Sequence, residues 1–216
     1  MNVKRLFSLL FISVSFLLTG CEKNEETIDD GAPTQIYVKV GEVYDIGEIG
    51  PWSTWNPFVA TVWHNGKITG QHVGECIINC PYDERRYRLK VTPNITLFRD
   101  PLIQWGANKT DVIAHEGGNY QTTSDGDISY ETGGSVVPYL GYFFVNERLS
   151  MTILLVNSSY KEQAFQHLSE RYKFVYQEDG TYTFINANTV KEASTIVLFK
   201  AYNSLYWSVY YSPNNG

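Results

Sequence analysis

Four histidines, three cysteines and 23 acids are the residues here with reactive chemistry to offer. His115-Glu116 begins a zinc-protease helix motif, but the position for the second histidine holds Asn119, so no ligand pair forms. His64, His72 and His167 lack ligand spacing and read as surface or turn residues. Gly133-Gly134-Ser135 lacks the Gly-x-Ser-x-Gly elbow of a serine hydrolase, and Asp125-Gly126-Asp127 is too short for a calcium loop. No glycine-rich phosphate loop occurs either. Cys76 and Cys80 stand four apart in an extended stretch. At roughly 3.3 Å per residue that is about 13 Å, against a Cα limit of about 7 Å for a disulfide. Both read as small buried hydrophobes. We therefore expect no metal, no cofactor and no enzymatic activity. One enzymatic alternative stays open, a hydrolase whose two carboxylates meet only in the fold, because their spacing is spatial.

Binding is the chemistry that remains. Leu205-Tyr206-Trp207-Ser208-Val209-Tyr210-Tyr211 reads as a strand. Alternation puts Tyr206, Ser208 and Tyr210 on one face and Leu205, Trp207, Val209 and Tyr211 on the other. One face has to cover helices, which leaves the other to water or a partner. Tyr206, Trp207 and Tyr210 are the candidate ligand contacts, since flat rings suit sugar rings and exposed apolar patches mark interaction sites. The expected partner is a glycan or a surface protein. Nucleic acid is disfavoured by the net charge of −6, and the densest basic stretch, Arg85 to Lys90, alternates as one solvated face of a strand.

The elements that position these residues begin after a leader. Lys4 and Arg5 precede an apolar run, Leu6 to Leu18, that is too short to span roughly 30 Å of hydrocarbon. Residues 1–20 thus read as a signal peptide. Losing them removes two cations and no acid, taking the net charge from −6 to −8. Residues 21–32 carry five acids and one lysine, too little apolar surface for a core, and read as a flexible tether. Leu18-Thr19-Gly20-Cys21 resembles the cleavage box of bacterial lipoproteins. The resemblance implies acylation of Cys21, with several chains holding the protein on a membrane where one would be marginal. The acidic run also resembles the surface-export signal of Bacteroidetes lipoproteins, which implies an outer-membrane, surface-exposed location.

Residues 33–93 read as a β-sandwich of short strands. Gln35 to Val40 alternates, Phe58 to Trp63 follows, Asn65-Gly66 marks a hairpin, and strands are expected at 75–80 and 86–92. Trp52-Ser53-Thr54, Val59-Ala60-Thr61-Val62, Asn65-Gly66-Lys67-Ile68-Thr69-Gly70 and Gly74-Glu75-Cys76-Ile77-Ile78 together resemble a group 2 bacterial immunoglobulin-like domain. That resemblance implies a spacer or adhesion module without catalytic residues. Trp63 and Trp55 are extra aromatics, expected either to contact a ligand or to plug against the neighbouring domain.

Residues 97–213 read as an α+β domain with helices against one face of an antiparallel sheet. Asn108 and Asp111 form a capping box for a helix that ends at Gly117-Gly118. Residues 119 to 135 read as a polar loop with a turn at Asp125-Gly126. Strands Tyr139–Val145 and Leu149–Val156 turn at Asn146-Glu147, with Leu149, Met151, Ile153 and Leu155 on one face. Ser159-Tyr160-Lys161-Glu162 reads as a second capping box, opening a helix with Ala164, Phe165, Leu168 and Tyr172 on one stripe. Hairpins are expected around Asp179-Gly180 and Asn203-Ser204. The Trp105-Gly106-Ala107 opening also resembles uncharacterised C-terminal domains of Bacteroidetes lipoproteins, which implies no function. The expected role is a lipid-anchored binding or adhesion protein, with a periplasm-facing scaffold or assembly subunit as the alternative.

Overall fold

A computed structural model describes residues 33–82 and 85–215. Cys21, the leader and the tether lie outside the described residues. Among the described residues the protein is mostly β with two α-helices, and the buried apolar residues form two clusters.

The first lobe has seven strands: β1 (Thr34–Lys39), β2 (Val43–Asp45), β3 (Ser53–Thr54), β4 (Ala60–Val62), β5 (Lys67–Gly70), β6 (Gly74–Asn79) and β7 (Arg86–Thr92). They form two open sheets, β1-β7-β6-β3 and β2-β5-β4. Ile36, Val38, Ile68, Ile78, Leu89 and Val91 fill the space between them, and Trp52 closes the cluster. Arg86, Arg88 and Lys90 lie on the solvated face of β7, as the alternation requires. Cys76 and Cys80 are free and buried, and act as apolar packing.

The expected two-residue turn at Asn65-Gly66 is longer. The Gly66 amide donates to the Trp63 carbonyl at 2.9 Å, and of the pair only Gly66 has positive φ, +77°. A Cβ at Gly66 would also lie 2.4 Å from the Glu48 carbonyl oxygen, so this position needs glycine twice over. Trp55 and Trp63 are 70% and 64% exposed, which overturns the expectation that they plug against the second lobe.

The second lobe begins with α1 (Lys109–Glu116), then β8 (Gln121–Thr122), β9 (Ile128–Glu131), β10 (Tyr139–Val145) and β11 (Arg148–Asn157). Next come α2 (Lys161–Ser169), β12 (Lys173–Glu178), β13 (Thr181–Ile185), β14 (Thr195–Ala201) and β15 (Tyr206–Pro213). The eight strands form one antiparallel sheet in the order β12-β13-β14-β15-β11-β10-β9-β8. Val112 of α1 and Ala164 and Leu168 of α2 share one core with Tyr142, Leu154, Val197, Phe199, Val209 and Tyr211, so both helices cover the same face.

The capping box on α1 is present: Asn108 Oδ1 accepts from the Asp111 amide at 2.9 Å and Asp111 Oδ2 from the Asn108 amide at 3.0 Å. The one expected on α2 is not. Ser159 Oγ instead donates to Asn157 Oδ1 at 2.7 Å, in a short 3-10 turn that precedes the helix. Residues 119 to 135 also differ from the expected loop, since β8 and β9 pair there, with Ile128 and Tyr130 buried.

Glu170, at the end of α2 and 5% exposed, ties the lobes together. Its Oε2 accepts from the amides of Asn94 at 2.8 Å and Ile95 at 3.1 Å, and its carbonyl from the Val73 amide at 2.8 Å. Asn94 Nδ2 in turn donates to the Val40 carbonyl at 2.9 Å. His167, expected on the surface or in a turn, is fully buried on α2 and packs on Phe98 with ring centroids 4.0 Å apart. Its Nδ1 accepts from the Leu97 amide at 3.3 Å, which leaves the ring proton on Nε2, 3.3 Å from Asp100 Oδ1 but without hydrogen-bond alignment. Arg171 Nε donates to Asp100 Oδ2 at 3.0 Å.

Burial opposes the charge on Glu170, but bonds from the Ile95 amide, Gln166 and the Asn94 amide outweigh it and hold the carboxyl below its usual value. Asp100 is lowered likewise: burial opposes it, and His167 and Arg171 prevail. Burial depresses His167 from 6.5, overcoming Asp100, and depresses His72 in the same way. A group with a depressed folded value contributes stability above its unfolded value and loses it as pH falls, so all four act in one direction. The unfolding free energy is expected to fall in two stages on acidification, from just below pH 6.5 and again below pH 4.5. Glu170→Gln should keep the first stage, flatten part of the second and cost about 2 kcal/mol at neutral pH, read by urea unfolding across pH.

Candidate functional site

The face of the large sheet turned away from the helices gathers the aromatic surface. Tyr142, Leu154, Phe199 and Val209 point to the helices, so their neighbours in each strand point outward. Tyr139, Gly141 and Phe143 of β10 share that outer face with Ile153 and Leu155 of β11. Register then brings Ile153 opposite Tyr210 and Tyr210 opposite Leu198. Tyr139, Phe143, Ile153, Leu155, Tyr202 and Tyr210 line a groove of about 280 Å³.

Two local features make the groove. Phe143 pairs with Met151 and Phe144 with Leu149, which leaves Ser150 as an extra residue, a β-bulge, with its hydroxyl on the Phe143 carbonyl at 3.0 Å. The bulge reverses the side-chain alternation. Leu149 therefore enters the core while Met151, Ile153 and Leu155 face outward, correcting the expectation that all four share a face. Gly141 is the second feature. A Cβ there would lie 3.1 Å from both the Tyr139 and Phe143 rings, so its absence lets the two rings close over the strand. At the rim, Lys200 Nζ sits 4.9 Å from the Tyr210 ring centre, a cation–π contact.

Tyr206 and Tyr210 are on this face, as the alternation has it, and Trp207 is not. Its ring lies 4.7 Å from Phe199 and 6.1 Å from Tyr182 on the helix side, with Lys161 Nζ 4.7 Å away. Of the three expected contacts, then, Tyr210 lines the groove, Tyr206 shares its face but lies outside the lining, and Trp207 packs against the core on the other side. Tyr139, Phe143 and Tyr202 join Tyr210 from elsewhere in the chain. The signal for the first two is the alternation of Tyr139, Gly141 and Phe143, a small residue between two rings.

A second cavity, about 350 Å³, is lined by Glu116, Gly117, Gly118, Asn119, Tyr130, Glu131, Thr132 and Leu140. It brings two carboxylates to one place, as a hydrolase would need. Glu116 is already engaged, however: it accepts from the Tyr142 hydroxyl and lies 3.8 Å from Arg99 Nη1 and 3.5 Å from His115 Nε2. Burial, followed by that bond to Glu116, pushes the Tyr142 hydroxyl far above its ordinary value, so it stays protonated, donating to Glu116 while its oxygen accepts from the Leu102 amide at 3.0 Å. Among the described residues no group of three His, Cys, Asp or Glu is placed to hold a metal ion, and no helix is long and apolar enough to cross a membrane.

No protein-family model matches this chain, and no curated protein matches it.

Gly141→Val should fill the floor of the groove without touching the core. The aromatic NMR resonances of Tyr139 and Phe143 are expected to shift while those of Tyr142 hold, with stability within about 1 kcal/mol of the parent.

Proposed function

We propose that this chain is a non-enzymatic, lipid-anchored protein of the outer membrane that binds glycan on the open face of its large sheet. The observation that carries the reading is the groove of Tyr139, Phe143, Tyr202 and Tyr210 around Ile153 and Leu155. Rings with hydroxyl edges offer sugar C–H faces a flat apolar surface and offer their hydroxyl groups hydrogen-bond partners. Support for the anchor comes from the Leu18-Thr19-Gly20-Cys21 box after a basic, apolar leader, and support for surface display from the acidic residues that follow. The first lobe acts as a spacer, in keeping with its likeness to bacterial immunoglobulin-like domains.

A second reading, a periplasm-facing scaffold, is favoured by the exposed Trp55 and Trp63 of the first lobe. A glycan array probed with the full chain separates the two. Binding that drops about tenfold or more in Tyr210→Ala and Tyr139→Ala, roughly what losing a stacking ring removes, supports the glycan reading. An empty array, with co-purification of envelope proteins that Trp63→Ala abolishes, supports the scaffold. The anchor has its own check: Cys21→Ala should move the chain from the membrane fraction to the soluble one.

A further inference from the structure

The outer edge of the large sheet is β12, Lys173-Phe174-Val175-Tyr176-Gln177-Glu178. One side pairs with β13, and all six residues are exposed, among them Phe174, Val175 and Tyr176. An edge of this length without proline is a template for another strand. We propose that the strand it takes is β12 of a second copy, so that two sheets join edge to edge about a two-fold axis.

Charge complementarity selects one register. Antiparallel pairing of the strand with itself sets Lys173 opposite Glu178 and Phe174 opposite Gln177, at both ends by symmetry. In a regular strand this register is forbidden. Residues five apart point to opposite faces, whereas paired residues of one sheet share a face. The bulge in β12 removes the conflict. Phe174 pairs with Phe184 and Tyr176 with Thr183, leaving Val175 as an extra residue. Lys173, Tyr176 and Glu178, opposite Ile185, Thr183 and Thr181, therefore share one face, and Phe174 and Gln177 share the other. A bulge ordinarily guards an edge against pairing. This one lets the lysine and the glutamate of two copies meet twice on one face. Lys173 Nζ donates to the Asn188 carbonyl at 2.6 Å, which leaves it two further donors for a carboxylate. The joined edge covers Val175 and Tyr176, which a single copy leaves exposed.

Charge swaps test the register. Sedimentation equilibrium of the full chain in density-matched detergent micelles reads the dimer constant, and circular dichroism confirms that each variant folds. Both residues are exposed, so the fold should tolerate reversal. The parent should be a dimer. Lys173→Glu and Glu178→Lys, each of which opposes two like charges, should each weaken it by about tenfold or more. The double variant should recover the parent value, because swapping both ends restores both pairs. A monomeric parent overturns the proposal, as does a dimer indifferent to the single reversals or one that the double variant fails to restore.

Discussion

A carboxylate buried at the end of a helix governs how this chain holds together. Glu170 gives up most of its water, and the compensation comes from amides in a different part of the sequence: Asn94 and Ile95 in the connection between lobes. Its own backbone carbonyl reaches Val73 in the loop that precedes β6. A buried charge is tolerable only when its acceptor sites are filled, so the packing of α2 and the path of the connection depend on each other. The Asp100, His167 and Arg171 cluster beside it carries the same logic onward, using a neutral imidazole to satisfy the Leu97 amide.

That fixed helix also decides which side of the sheet is open. With α1 and α2 on one face, the strands need a continuous apolar core beneath them, and Leu154, Phe199, Val209 and Tyr211 supply it. The other face then carries what is left of the alternation. In most antiparallel sheets the leftover is polar. Here it is Ile153, Leu155, Tyr139, Phe143 and Tyr210, drawn into a groove by a bulge at Ser150 and the missing Cβ at Gly141. Contiguous apolar and aromatic surface is what the proposed glycan site builds on.

Period-two alternation made most strands legible, and turn chemistry located their ends. Asn146-Glu147 and Asp179-Gly180 both adopt the positive φ values that a two-residue hairpin requires. The α1 capping box was equally readable, because its three-residue spacing is a local property. What escaped was set by distant partners. Ser159 has the spacing of a cap, yet Asn157 captures its hydroxyl. A bulge at Ser150 follows from the pairing with β10, which no single strand reveals. His167 looks like a polar residue on a helix until Leu97 and Asp100 close around it. Trp207 and Tyr206 are half-buried neighbours with opposite surroundings, and only the position of α2 shows which of them packs against the core. Ile128 and Tyr130 did alternate, but the polar residues around them hid a short strand.

An NMR titration of the labelled chain with a soluble oligosaccharide taken from a positive array spot tests the binding face most directly. Glycan bound on the outer face should centre the shifts on Tyr139, Gly141, Ile153 and Tyr210, with Trp207 and the first lobe unchanged. Shifts gathered around Glu116 and Glu131, or on Trp55 and Trp63, with the outer sheet face silent, would contradict it.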